Sequence, residues 1–400
     1  MIRITKILFI FFILLFAISC EDDSIDTNTF IFDDNETEMI KTINELGFSL
    51  VKEIISDYEN NINISSLNTT ISILSLYNAS NDETKTKISN FLGLNNFETD
   101  EINNSIRKII ESFVTNEESS NFRIKNSLWI DDNYNLNTNF TNLAKFFLNT
   151  EIKNINYNSS IKDSINYWIM SNSNSSFSKH FEDKDIDIDE VISINASFYN
   201  LAWDKDFTNS YYDLFYSSDD NSIRTQYMNI TERFGYLSSD GMNIVNIPSE
   251  NEKYSVVIVV PKQDNDLEDI LPYLNSSNWE KWNSNLTQER INLSIPYIDT
   301  EYYTGLNKHL ESIGLNISSE ENNISEISND NELHQTIYST NRIIFTNSIK
   351  TSKNKNKLTT NVNNTETINL NVNKTFFYAI KESSSNCILF TGIINKNQDI

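Results

Sequence analysis

Near its C-terminus the chain runs TSKNKNKLTTNVNNTETIN (Thr351–Asn369), a stretch dominated by Thr, Ser, Lys and Asn. Strand-like segments bracket it, with RIIFTNSI (Arg342–Ile349) before and KTFFYAIK and CILFTGII after. Loops longer than roughly 12–15 residues are uncommon in compact domains, and are usually functional or disordered. The fold must therefore hold strands on both sides of a long polar excursion. What that excursion does is the main question the sequence raises.

The chain has 400 residues, 38 % of them hydrophobic and 12 % aromatic, enough for a large packed core. Its formal net charge of −25 argues against nucleic acid as a partner, because phosphate would be repelled. The segment EDKDIDIDE (Glu182–Glu190) concentrates part of this charge and reads as a solvated connection. At the N-terminus, Arg3 and Lys6 precede the apolar run ILFIFFILLFA, then Ile18, Ser19 and Cys20. This is the pattern of a signal peptide, residues 1–19. A cysteine at this place resembles a bacterial lipobox, although Ala17 stands where Leu is usual. Cys20 would be diacylated, palmitate being a typical chain, and would hold the protein on the outward side of a bacterial cell envelope. Ordinary secretion with a free cysteine is the alternative. Residues 20–36 then read as an acidic tether. Only one other cysteine exists, Cys387, in an apolar strand, so no disulfide framework is expected.

The N-terminal half reads mostly helical. Met39, Ile43, Leu46, Leu50 and Ile54 repeat near a 3.6 period across Thr37 to Tyr58. Helical patterns continue at Thr69–Tyr77, Glu83–Leu92, Ile102–Val114, Asn137–Leu148 and Ile161–Met170. Arg123–Ile130, Glu151–Tyr157 and Ile192–Trp203 read as strands. The C-terminal half is mostly strands, interrupted by a helix expected from Tyr302 to Ile313. The class is α+β. The seven glycines are isolated, so no phosphate loop is possible, and no G-x-S-x-G elbow occurs. His180, His309 and His334 show no metal or catalytic spacing. No enzyme activity, metal or cofactor is expected.

Several segments, taken in order, resemble one family, the serpins. LNVNKTFFYAI (Leu370–Ile380) fits the serpin C-terminal signature, with Asn373, Lys374, Thr375 and Phe376 in place. CILFTGIINK is similar to the family's last strand. In VISINASFYNLAWDKDF (Val191–Phe207), Asn195, Ala196, Phe198, Trp203 and Phe207 fall where the family has them. NINISSLNTTISILSLYNASNDETK (Asn61–Lys85) matches at Asn61, Ser65, Ile71, Leu76, Ala79 and Thr84. YSVVIVVPK and INLSIPYIDTEYY are similar to two further segments. The resemblance spans Thr37 to Asn397.

The resemblance implies a serpin domain over residues 37–397, with helices packed on three β-sheets and a reactive-centre loop at about 351–369. It implies an inhibitor of serine or cysteine proteases, a monomer acting as a suicide substrate. The protease cleaves the loop, and the loop then enters the main sheet as a new strand and traps the acyl-enzyme. About ten new backbone hydrogen bonds would favour insertion by around 5–15 kcal/mol. The implied hinge is Thr351, Ser352, Asn354 and Asn356. Here Thr351 replaces the family's glycine, and the run of alanines is absent. Ser352, Asn354, Asn356 and Leu358 would face inward, with Lys353, Lys355 and Lys357 outward. Each of the two inward amides would cost roughly 1–3 kcal/mol if unpaired. Beneath the sheet, Ser65, Asn68, Asn195 and Asn341 are expected to form the hydrogen-bond cluster that controls opening, Asn341 standing where the family has histidine. Counting places the scissile bond after Asn364 or Thr365, with Glu366 next to it. The polar hinge also fits a second reading, a non-inhibitory surface lipoprotein of the same fold with a binding or structural role.

Overall fold

Asp33 opens the first helix. Its carboxylate accepts from the backbone N–H groups of Asn35 (2.9 Å) and Glu36 (3.3 Å), while Glu36 accepts from the Asp33 N–H at 2.8 Å. This reciprocal cap satisfies donors that the first helical turn leaves without partners. Asp34–Glu36, assigned above to the tether, are therefore helical. The structure is a computed structural model. It describes residues 31–396 apart from 56–59, 114–121, 158–159, 174–176, 178–180, 182–190, 202, 206, 208, 219–220, 251, 317–323, 329–332 and 347–365. The signal peptide and Cys20 lie outside the described residues.

The helices are α1 (Asp34–Ile54), α2 (Ser66–Ala79), α3 (Asp82–Phe91), α4 (Thr99–Phe113), α5 (Thr138–Leu148), α6 (Ile161–Asn172), α7 (Leu267–Ile270), α8 (Ser276–Asn285) and α9 (Asn307–Ser312). The strands are β1 (Ile62–Ile64), β2 (Phe122–Asp131), β3 (Thr150–Ile155), β4 (Val191–Leu201), β5 (Asn209–Tyr216), β6 (Ser222–Ser239) and β7 (Met242–Pro248). They continue with β8 (Tyr254–Pro261), β9 (Thr287–Pro296), β10 (Ile298–Gly305), β11 (Gln335–Phe345), β12 (Ile368–Asn371), β13 (Phe376–Glu382) and β14 (Ile388–Ile394).

Five strands form one sheet in the order β10-β11-β4-β2-β3. Nine strands form the other network, β1-β14-β13-β8-β7-β6-β9-β12, with β5 also on β6. The second and third of the three expected sheets are joined because β6 is 18 residues long. Its C-terminal end pairs with β7, and its earlier part pairs with β5 and β9. The fold class is α+β as the sequence implies.

Helix α2 lies at the centre, with every one of its residues buried. Such a helix must satisfy its own hydroxyls. Thr69 Oγ1 donates to the Ser65 carbonyl and Thr70 Oγ1 to the Ser66 carbonyl, both at 2.9 Å. Close approaches around it require glycine. A Cβ at Gly47 on α1 would stand 2.1 Å from Ser66 Oγ, and one at Gly392 on β14 would stand 2.1 Å from the Ile62 carbonyl oxygen.

Three expectations about the elements need correction. The helix expected from Tyr302 to Ile313 is strand β10 as far as Gly305, because this segment pairs with β11 through eight positions. Helix α9 begins only at Asn307. The strand expected from Arg342 starts at Gln335 and ends at Phe345. Helices α7 and α8 interrupt a region read as strands alone. Trp279 and Trp282, one helical turn apart on α8, are its buried residues.

Candidate functional site

Strand β11 ends at Phe345, and β12 begins at Ile368 on another part of the fold. The polar excursion joins them, and 347–365 within it lies outside the described residues. On its inner side β11 pairs with β4 in parallel, in one continuous register from Gln335↔Val191 to Phe345↔Leu201. A segment folding back beside β11 would run antiparallel to both β11 and β4. The β4–β11 seam is thus the one junction in the five-stranded sheet where such a strand gains two antiparallel partners, the pairing that is slightly the more stable per residue.

The two faces of this seam differ. On the outer face, Ile192, Ile194 and Ala196 of β4, Trp129 of β2 and Tyr338 of β11 form a cluster with Ile161, Ile165, Trp168 and Ile169 of α6. Helix α6 therefore covers the seam with an apolar stripe at helical spacing. The Trp168 indole N–H donates to Glu151 Oε2, and Lys153 donates to Glu151 Oε1. Both bonds hold the Glu151 carboxyl below the ordinary carboxylate range against the opposing effect of burial.

The inner face is polar. Alternate residues Ser193, Asn195 and Ser197 of β4 and Ser339 and Asn341 of β11 point toward α2, and all are buried. Asn126 of β2, opposite Asn195, continues the row. Ser72 Oγ on α2 donates to Asn195 Oδ1 (2.6 Å) and shares a hydrogen bond with Ser193 Oγ (2.8 Å). Asn126 Nδ2 donates to Asn68 Oδ1 at 2.7 Å, and Asn68 Nδ2 donates to Ser197 Oγ at 2.6 Å. Asn341 Nδ2 donates to the Asn63 carbonyl on β1 and to Ser339 Oγ, both at 2.9 Å. At the ends of the seam, the Val191 N–H donates to the His334 carbonyl and the Trp203 indole N–H to the Thr346 carbonyl.

Ser65, Asn68, Asn195 and Asn341 are all fully buried beneath the sheet. They do not form one mutual cluster, which corrects that expectation. Ser65 caps α2, accepting from the Asn68 backbone N–H at 3.3 Å and donating to the Leu389 carbonyl at 3.0 Å. Asn68, Asn195 and Asn341 each bond to a different strand or helix. Their cross-links run through Asn63, Ser72, Asn126, Ser193, Ser197 and Ser339, which were not singled out from the sequence. The signal was the period-2 alternation in VISINAS, where Ser and Asn occupy one face and Ile and Ala the other. The hinge residues Thr351, Ser352, Asn354 and Asn356 lie outside the described residues, as do Asn364 and Thr365. Glu366 is described and exposed, just before β12.

Comparison with known proteins bears on the same features. The sequence model of the family described as Serpin (serine protease inhibitor) matches residues 41–397. An uncharacterized serpin-like protein of Methanosarcina acetivorans is 27 % identical over 199 residues, covering 47 % of this chain and 46 % of that protein. Neuroserpin of Gallus gallus is 21 % identical over 309 residues, covering 74 % of this chain and 75 % of its own. The chain spans about half the length of the first of these relatives. Among solved structures, the thermophilic serpin tengpin in the native state superimposes with a TM-score of 0.81 at 21 % identity, over 92 % of this chain and 95 % of its own. Native protease nexin-1 with heparin also gives 0.81, at 19 % identity, over 90 % of this chain and all of its own. At these identities the structural likeness shows the fold.

Proposed function

The chain belongs to the serpin family, and from that premise we propose that it inhibits proteases as a suicide substrate. The observation that carries this reading is the parallel β4–β11 seam, at whose end the chain leaves β11 for the polar excursion. The proposed target is a serine or cysteine protease. Its nucleophile attacks the carbonyl of the residue before the scissile bond, Asn364 or Thr365. The peptide bond breaks, the new amino terminus stays with β12, and the N-terminal part of the loop stays joined to the protease as an ester or thioester. Residues from Ser352 to Asn364 then enter the seam. Thirteen residues at about 3.3 Å each span roughly 43 Å, more than the eleven residues of β4 need. Insertion thus carries the protease from one end of the sheet toward the other and distorts its site before water completes hydrolysis.

Serine protease inhibitor 2 of Anopheles gambiae, 19 % identical over 68 % of this chain, bears a name in keeping with this reading. We also propose that Cys20 is diacylated and holds the inhibitor on the outward side of a bacterial envelope membrane. The second reading, a non-inhibitory serpin, is favoured by the polar hinge. A thyroxine-binding globulin complex with thyroxine, at TM-score 0.79 and 18 % identity, illustrates the same fold in a structure named for small-molecule binding.

The test is to mix the mature chain with a panel of serine and cysteine proteases and resolve the products on denaturing gels. Loop cleavage near Asn364 or Thr365 with a boiling-stable adduct of higher mass is the expected result. Clean cleavage without adduct and without a rise in Tm would select the non-inhibitory reading.

A further inference from the structure

The polar row under the seam is incompletely paired. Asn126 Oδ1, Asn195 Nδ2 and Asn341 Oδ1 have no hydrogen-bond partner, nor does either side-chain polar atom of Asn63. These four residues are at most 5 % exposed. Buried polar atoms are nearly always paired, so an orphan on each strand of the seam, Asn195 on β4 and Asn341 on β11, with Asn126 on β2 and Asn63 on β1 beside them, calls for an explanation. The orphans include both kinds of group. At the seam itself Asn195 offers a donor and Asn341 an acceptor.

We infer that the β4–β11 seam is a receptor for amide side chains, and that Asn354 and Asn356 are the residues it selects. This rests on the insertion proposed above, and both residues, which lie outside the described part of the chain, enter by sequence alone. Inner-face residues of β11 are Ile337, Ser339, Asn341, Ile343 and Phe345. Directly opposed residues on paired strands face the same side. If Asn354 stands opposite Asn341, then Asn356 stands opposite Ser339, beside Asn195. If Asn356 stands opposite Asn341, then Asn354 stands opposite Ile343. In either register an amide enters the row between Ser197 and Asn341. An amide both donates and accepts, so it can pair with the orphaned atoms there. A methyl group can pair with none of them. The polar hinge is then matched to this sheet, where an alanine-rich hinge would leave the same atoms unpaired.

The inference reverses the sign expected from small-residue hinges, which makes it testable without a protease. Two peptides are added separately to the intact mature chain. One is acetylated SKNKNKLTTNVNNT, the sequence of Ser352–Thr365. The other carries alanine in place of Asn354 and Asn356. Incorporation is followed by native gel mobility and by the rise in Tm. The amide peptide is expected to incorporate about tenfold faster or more, the equivalent of one hydrogen bond. The preference is expected to shrink in Asn341→Ala, and in Asn195→Ala should the first variant fail to fold. Equal or faster incorporation of the alanine peptide overturns the inference. Failure of both peptides overturns it too, and the Tm of the loop-cleaved chain then shows whether the insertion reading falls with it.

Discussion

Strand β11 has two neighbours, and they hold it in different ways. Toward β10 the pairing is antiparallel over eight positions and is reinforced by charge. Arg342 donates to both carboxylate oxygens of Asp299, at 2.8 and 2.7 Å, and lies 3.3 Å from Glu301. The Asp299 hydrogen bond raises the Arg342 pKa further, despite partial burial. Toward β4 the pairing is longer, eleven positions, but parallel. The inner polar side chains of that seam bond downward, to α2 and β1, instead of fastening the two strands together. On the insertion proposed above, the longer junction is the one that parts. Strand β11 is fixed to β10 as a unit and leans on β4 through backbone bonds that an incoming strand would replace.

The largest expected effect comes from the one β11 residue in the outer cluster. Tyr338 is 8 % exposed, with Phe181 edge-on at 5.2 Å and Tyr303 stacked at 6.1 Å. Tyr338→Ala should lower the stability of the uncleaved chain by about 3–5 kcal/mol. It should also speed incorporation of the loop peptide, because β11 loses its grip on the cluster under α6. Chemical denaturation and the peptide assay read the two effects. Slower incorporation would show that the outer cluster does not restrain the seam.

A second prediction supplies the control. Lys381 on β13 is buried, its ammonium donating to Asn283 and Asn386, and burial pushes its pKa down to about 8. The unfolded chain keeps this proton up to the ordinary lysine value, so between about pH 8 and 10.5 it binds more protons than the folded chain. Stability should rise with pH across that window, and the penalty is fully present below it. Lys381→Met removes the penalty and should flatten the rise, by up to about 3 kcal/mol. The strand lies outside the five-stranded sheet, so the change should appear equally in uncleaved and loop-cleaved chains. A gain confined to one form would tie β13 to the seam.

The sequence made most of the architecture legible where burial is apolar and periodic. Helix α1 and strands β8, β13 and β14 fall into this class, since Ile43, Leu50, Val257 and Phe377 sit where their spacing requires. It failed where polar side chains are buried. The first half of β11, from Gln335 to Asn341, reads as hydrophilic yet is the middle of a sheet. Helix α8 hides two buried tryptophans in SSNWEKWNSN. Ser65, Asn68, Asn195 and Asn341 were legible as positions of the family resemblance, and all four are buried. Their partners were not legible, because a hydrogen-bond network depends on which strands lie opposite, and register is set by packing at a distance. Asn126 and Asn195 are 69 residues apart in sequence yet directly opposed across β2 and β4.

Smaller effects sharpen the contrast between the two sides of β11. Arg342→Ala breaks the bidentate pair on the β10 side and should cost about 1 kcal/mol, since Asp299 is partly exposed. On the proposed insertion, that junction persists while the seam opens. The loss should therefore be the same before and after loop cleavage, and it should weaken in high salt. A loss found only in the uncleaved form would mean that β10 and β11 do not move as a unit.

The smallest expected effect asks which side of the seam moves. Ser72 ties β4 to α2 through Asn195 and Ser193. Strand β11 is tied through Asn341 to β1 and through Arg342 to β10, and a bidentate ion pair cannot slide without being lost. The hydroxyl and amide bonds between β4 and α2 are more readily exchanged for others, because each group both donates and accepts. This favours movement of β4, with α6 riding on its outer face through Ile192, Ile194 and Ala196. Ser72→Ala should then lower the stability of the uncleaved chain by about 1 kcal/mol. On the proposed insertion the loop-cleaved chain has already given up this tie and should show no change. Paired melting curves of the two forms decide the matter. An equal loss in both would mean that β4 stays on α2 and that β11, with β10, swings away from it.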